Sequence, residues 1–474
     1  MPEGFKRRIY LLRPGNLTPE TIAVTFAKTS RSPLSFREIA EELSEEASAS
    51  FHEKWVVGYG HASVAEHAVL HIAFENVSRL AVECIESNRL ASYTEKSTRY
   101  QTWDPKGYHV PAEVRGSPYE GLYIETCDRL FQAYHESLEP VRARVAQDLP
   151  RREGESKDAW DGRIRSHYVD VCRFFLPAAA LANLWMTANA RALEHAIRKM
   201  LSHPLAEVRE IGEQVKRVAQ DETPTLVKYA DPVPYLKETE ADLASRAGRL
   251  PAEPAGEMLR LIEWSPRAEA QVLAAGLFAQ AGCSYETALA TVEGMDDAGR
   301  AALAQAMLGR LGRFDVPLRA LEHAFYTFEA VMDQGAYFEL KRHRMMTQTP
   351  QRLQAGLGYA VPRLFAEAGV EASFRKAMAQ AAEAYERLAA WNPHVAAYVV
   401  PNAFNRRVVM TLNLREAYHF CELRAAANAH FSIRRIALRM AEMIREVHPL
   451  LSSHMRLPEG VDWHDIERAH FGQV

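Results

Sequence analysis

The densest run of side chains able to do chemistry is Ser92-Tyr93-Thr94-Glu95-Lys96-Ser97-Thr98-Arg99-Tyr100, at the end of an apolar, helix-like stretch. On an extended loop, Ser97 and Arg99 point the same way and suit a phosphate, because Arg supplies a planar charged fork and Ser a short donor. Glu95 can accept from an N–H or from a ribose hydroxyl. A solvated polar loop would have the same composition, so the run alone leaves both readings open. A second cluster, Arg342-His343-Arg344, follows another apolar stretch. Two arginines around a ring can pair with a diphosphate while the imidazole stacks on, or donates to, a flat heterocycle. Basic triplets also close helices, where they offset the dipole. His61, His67 and His71 with Glu66 raise the question of a metal, but no H-E-x-x-H helix or carboxylate-rich set accompanies them, and no metal is expected.

The elements that must carry these residues recur. Glu66-His67 precede AVLHIAF, a β-rich stretch bounded by Glu75-Asn76, and SRLAVECIE then starts helix-like before the polar run. Glu322-His323 precede AFYTFEAV, then QGAYFELKRHRMMTQTPQR. Each half therefore reads strand, helix, arginine-bearing loop. His67 and His323 are 256 residues apart and Arg89 and Arg344 are 255 apart, so these blocks keep register. Further on, Pro177 and Pro401, and Asn189 and Asn413, are each 224 apart. The shorter offset places extra length in the first half, where the charged LPRREGESKDAWDGRIR suits a surface insertion. Helical apolar spacing follows Asn189 and Asn413, and FRKAMAQAAEAYERLAAW is rich in strong helix formers, so helix should exceed strand. LKETEADLASRAGRLPAEPAGE is polar with two close prolines. It divides the chain into copy one at 1–235, a linker at 236–257 and copy two at 258–474.

Composition narrows the function classes. At 474 residues the chain exceeds one typical core. Its 57 basic and 61 acidic residues leave a net charge of −4, so no overall field attracts nucleic acid or anionic lipid. Five cysteines, scattered and never in C-x-x-C, read as reduced core thiols. The longest apolar stretch, Phe174 to Met186, is interrupted and too short to span a bilayer. MPEGFKRRIYLL lacks a signal-peptide layout, and a cytoplasmic location is expected.

Taken in order, YGHASVAEH, SNRLASYTEKSTRY and LPAAALANLWMTANARAL resemble the flavin-dependent thymidylate synthases, whose signature is RHR-x-A-S-Y-x-E-x-S-x-R-Y after an EH-strand-helix segment, followed by an N-A-R helix. The second half resembles the same family through LEHAFYTF, KRHR and NLREAYHFCELRAAANAHFSI. The likeness implies an α+β fold: two tandem copies of a helix-rich unit with a central antiparallel or mixed sheet, like the thymidylate synthase complementing proteins.

The two copies depart from the family in opposite places. Copy one has Ser87 and Asn88 where the family has Arg and His, but keeps Arg89, Ser92, Glu95, Ser97 and Arg99. Copy two keeps Arg342, His343 and Arg344, but has Arg352 and Gln354 where the family's Ser and Arg would fall. Arg173 matches a phosphate-binding arginine, with Ala397 in its place in copy two. Arg424 matches the arginine set against the pyrimidine ring, with Asn413, Arg415 and Leu423 in step; copy one offers only Lys199 there. His203 matches a flavin-contacting histidine, replaced by Asn428.

The resemblance implies methylation of dUMP to dTMP with FAD, NADPH and methylenetetrahydrofolate. Arg424 would be the catalytic charge stabiliser, and Glu95, Ser97, Arg99 and Arg173 would bind substrate. His61, Ser63, Glu66, Arg89, Asn189, His203, Arg342, His343 and Arg344 would hold the flavin. Because the family shares its sites between subunits of a homotetramer, the complementary losses imply sites built from both copies, in a homodimer that forms a pseudo-tetramer. The same losses also fit a degenerate paralogue that binds flavin or nucleotide, or only scaffolds.

Overall fold

A computed structural model describes residues 18–29, 62–97 and 102–472. Short helical turns aside, the first half runs α1 (Pro19–Thr29), β1 (Val69–Ser78), α2 (Arg79–Glu86), β2 (Ala91–Glu95), α3 (Glu120–Asp148), α4 (Lys157–Cys172), β3 (Leu181–Asn189), α5 (Ala190–Leu201), α6 (Ala206–Gln220) and α7 (Pro234–Ala247). The second half runs β4 (Leu259–Trp264), α8 (Ala268–Phe278), α9 (Tyr285–Glu293), α10 (Asp297–Leu308), β5 (Phe325–Asp333), α11 (Gln334–Leu340), β6 (Thr347–Pro350), α12 (Glu371–Ala389), β7 (Asn405–Asn413), α13 (Leu414–Ala425), α14 (Phe431–Val447) and α15 (Trp463–His470). Helix exceeds strand, and the fold is α+β with small antiparallel sheets ordered β1-β3-β2 and β4-β5-β7-β6.

The repeat is visible at the level of single bonds. Val69 pairs with Asn189 in one sheet and Phe325 with Asn413 in the other. The central strands β3 and β7 have the same alternation, one face buried and the other open at its middle residue, Trp185 or Val409. A period of two puts Leu184, Met186 and Ala188, or Val408, Met410 and Leu412, into the core. Each strand hands over to its helix through a side-chain cap: Ser78 accepts from the Ala81 N–H, Asp333 from Ala336, Asn189 from Ala192 and Asn413 from Glu416. Short polar residues at these junctions satisfy N–H groups that the first helical turn cannot. At the other end of the helix, Tyr93 Oη donates to the carbonyls of Ile85 and Asn88, and Gln348 Nε2 donates to those of Leu340 and His343.

The chain folds into two compact units whose boundaries differ from those of the repeat. Of the described residues, one gathers those up to Lys96, Pro111–Glu113 and Leu181–Leu250; the other gathers those in Ser97–Val110, Val114–Ala180 and from Pro251 onward. The core of the first lies between its sheet and α2, α5 and α6, with Val82, Leu184, Leu193 and Val208 fully buried. In the second, α3 and α4 of the first half join copy two, and Phe175, Phe365 and Phe374 form an aromatic nucleus with centroids 4.6 to 5.3 Å apart.

Several local expectations change. Strand β1 runs on through Glu75-Asn76 by means of a bulge between Phe74 and Val77. Asn76 takes the left-handed conformation (φ 57°) there, which asparagine tolerates better than most residues, and its N–H donates to Asn183 Oδ1 at 2.8 Å. Ala91–Glu95 is a strand rather than a loop. The first half of the expected linker is helix α7, which buries no residue. Its charged composition suits a solvated helix as well as a tether. The second part of the expected surface insertion opens α4, capped by Ser156. Four cysteines are buried, but Cys283 is exposed.

Candidate functional site

In the second unit the basic triplet ends α11, and its members face different ways. Arg342 is exposed, Arg344 half-buried and His343 buried. His343 Nδ1 lies 2.9 Å from Glu416 Oε1, and its Nε2 lies 2.9 Å from Arg424 Nε. A guanidinium only donates, so Nε2 must accept and the ring proton sits on Nδ1, donating to Glu416. Burial pushes the His343 pKa below its ordinary value; Glu416 opposes this and Arg424 adds to it. The imidazole is therefore committed on both nitrogens to side chains of α13, which leaves it no nitrogen for a flat heterocycle.

Arg424 comes from the last turn of α13. Its Nη1 makes an ion pair with Glu339 on α11. Burial lowers the Arg424 pKa, with Glu339 acting against that and Arg342 with it. Burial raises the Glu339 pKa, but the cations Arg424, Arg342 and Arg173 outweigh it and hold the carboxyl below its usual range. Arg173 belongs to the first half of the sequence, is buried, and sits 3.7 Å from Asp170. Arg173, Arg342 and Arg424 thus act on one carboxylate within one unit. Nη2 of Arg424 is bonded to no described residue, and the side chain is 13% exposed, so one edge of a fixed cation remains for a ligand.

The first unit has a quieter counterpart. Lys199 Nζ donates to Asn88 Oδ1 at 2.9 Å and to Ser87 Oγ, so a cation of α5 reaches the same two positions that in copy two are Arg342 and His343. Ala192 stands where copy two has Glu416, which removes the carboxylate partner. Glu95 makes an ion pair with Arg79, both side chains being 3% exposed. Ser97 is half-buried and Arg89 exposed. Glu66 is exposed and pairs with Arg191, as Glu322 pairs with Arg415 in copy two, so this ion pair belongs to the repeat. Ser63 is exposed, Asn189 caps α5, and His203 Nδ1 accepts from the Leu205 N–H at 3.2 Å. His61 and Arg99 lie outside the described residues.

Three charged residues of these clusters escape the sequence reading: Arg79, Glu339 and Glu416. Glu416 carries a signal, since Asn413-x-x-Glu416 has the spacing of a capping box. The carboxylate turns to His343 instead of back to the cap. Glu339 and Arg79 sit in apolar helices with no local pattern to single them out.

Sequence comparison agrees with this doubled architecture. The family model for the thymidylate synthase complementing protein matches the chain twice, over residues 15–225 and 260–450. The chain belongs to that family. Among its relatives are UPF0159 proteins of comparable length. That of Chlamydia muridarum is 32% identical over 88% of this chain and 82% of its own length, and that of Thermoplasma acidophilum is 28% identical over 89% and 91%. A flavin-dependent thymidylate synthase of Clostridium tetani is 28% identical over 45% of this chain and 83% of its own length, as expected of a single-copy relative.

Proposed function

We propose that this protein methylates dUMP to dTMP, with methylenetetrahydrofolate as one-carbon donor, NADPH as reductant and FAD as cofactor, in sites that draw residues from both copies. The observation that carries the reading is Arg424: a guanidinium anchored at two nitrogens, with its third bonded to no described residue. Addition at uracil C5 places negative charge on the ring carbonyls, and a fixed, half-buried cation stabilises that charge without reorganising. Arg173, which shares the field at Glu339 with Arg424, suits the nucleotide phosphate together with Ser97 and Arg99.

The donor set fits a flavin nucleotide. In the second unit Arg342 is exposed and Arg344 half-buried on either side of the committed His343, in the first unit Arg89 is exposed, and cations of this kind suit a diphosphate. His61, Ser63, Glu66, Asn189 and His203 complete the proposed set; His343 serves it by positioning, since both its nitrogens are engaged. Bound FAD would supply the redox and one-carbon transfer chemistry, while the chain binds, orients and stabilises charge. We place the activity in the cytoplasm, where an exposed thiol such as Cys283 stays reduced.

A second reading, a paralogue that binds flavin or nucleotide without turnover, draws on Glu339, whose carboxylate already faces the arginine a substrate would need. Substitution separates the two ligands. Arg99→Ala should weaken dUMP and Arg344→Ala should weaken FAD, each about 10-fold or more for a lost charge-assisted bond. If both variants weaken the same ligand in calorimetric titration, the division of roles between the copies is wrong.

A further inference from the structure

Resting on that nucleotide reading, we propose that Glu416 is a positioning residue for Arg424, acting through His343 to keep the guanidinium edge turned to a pyrimidine carbonyl. Glu416 Oε1 accepts the Nδ1 proton at 2.9 Å, which leaves the Nε2 lone pair for the Arg424 Nε–H at 2.9 Å. Glu339 takes Nη1. With two nitrogens held in one plane, the position of Nη2 is fixed before any ligand arrives, and a ligand that meets it loses less conformational freedom in the protein.

The groups facing His343 are few. Glu416, His419 and Arg424 come from α13, and the Phe420 ring meets the imidazole edge-on at 5.0 Å. A protonated imidazole would turn an N–H toward the Arg424 N–H, so the chain holds only while the ring is neutral. Copy one lacks the device: Ala192 replaces Glu416 and Asn88 replaces His343, and an amide oxygen receives the cation of Lys199 directly. Sequence spacing alone would have given Glu416 to the helix cap.

The test uses the full-length protein loaded with FAD. Titration of dUMP from pH 8 downward should show an acid limb as His343 takes a proton; the phosphate's own titration is common to every variant. Glu416→Ala should weaken dUMP about tenfold at pH 8, the worth of one charge-assisted hydrogen bond. It should also move the acid limb to lower pH, because the carboxylate that draws a proton to the ring is gone. Glu416→Gln, of the same volume, should show the same downward shift and serves if the alanine variant fails to fold. Nitrogen-15 spectra of labelled histidine, with His343 assigned by its loss in His343→Gln, should show the Nδ1–H tautomer in the wild type. An unshifted acid limb in both variants overturns the positioning role and leaves the nucleotide reading standing. A wild-type protein with the Nδ1–H tautomer in place that binds no dUMP overturns the nucleotide reading, and this proposal with it.

Discussion

Asp333 carries a carboxyl group into a wholly buried position in order to cap α11, accepting from the Ala336 N–H at 3.0 Å. Burial raises its pKa; the cap bond, Ser432, Arg435 and Arg173 only partly oppose this. In the unfolded chain the group ionises near the ordinary value, so between that value and the raised one the folded state holds more protons. Stability then falls as pH rises through this window. Asp333→Asn keeps an equally good cap and should raise the melting temperature at pH 7 relative to pH 4, by differential calorimetry. A lower melting temperature at pH 7 would mean that Arg173 and Arg435 need the charge. The Arg79–Glu95 pair argues the other way. Both partners are paired and buried, so Arg79→Met should cost about 3–5 kcal/mol in chemical denaturation by taking the guanidinium away from a buried carboxylate. At this scale the sequence was only partly legible. The basic triplet stood out by type and spacing and Arg424 by the family resemblance, but the side chain that holds His343 lies 73 residues away and reads locally as a helix cap.

The strand-to-helix junction is the element that the duplication copied most faithfully. Asn189 and Asn413 end matching strands, pair with Val69 and Phe325, and cap α5 and α13. Asn413→Ala should cost about 1 kcal/mol, and Asn413→Asp much less, in urea unfolding. Equal costs would show that the amide does more than cap. These junctions could be read from sequence because a polar residue between an apolar strand and an amphipathic helix has a local reason to be there. The bulge at Asn76 and strand β2 could not, since both depend on pairing with β3, far along the chain. The open faces of the sheets make an element-scale case for self-association. Trp185 is 49% exposed, Phe325 50% and Val409 39%. Large apolar side chains on an open strand face suit a partner surface, and the homodimer implied by the family resemblance would supply one. Trp185→Asp and Val409→Asp together should convert the species seen by sedimentation to monomer; an unchanged mass would place the interface elsewhere.

Across the molecule, burial disfavours the charged form of four histidines of the second unit, His343, His394, His448 and His470. Burial, with help from Arg352, pushes His394 to about 4, and burial with Arg434 and His167 does the same for His470. Burial also lowers His343 and His448. In the unfolded chain each would take a proton near its ordinary value of about 6.5, while the folded state refuses it until lower pH. Their contribution is complete above that value and is lost as pH falls toward about 4, so melting temperature should drop steadily over this interval. His470→Gln should flatten the slope, and an unchanged slope would assign acid sensitivity to other groups. The doubled architecture was legible in the offsets of 256, 255 and 224 residues, and at Asn189 and Asn413 the matched residues have matched partners in Val69 and Phe325. The packing of α3 and α4 in the second unit was not, since nothing in their composition says which sheet's unit they join.

The central claim is that this doubled member of the family still turns over. Purified protein supplied with FAD, NADPH, methylenetetrahydrofolate and dUMP should form dTMP, detected chromatographically, and omission of any one component should abolish it. Protein that binds FAD and dUMP yet forms no dTMP would contradict the claim and leave the binding paralogue in its place.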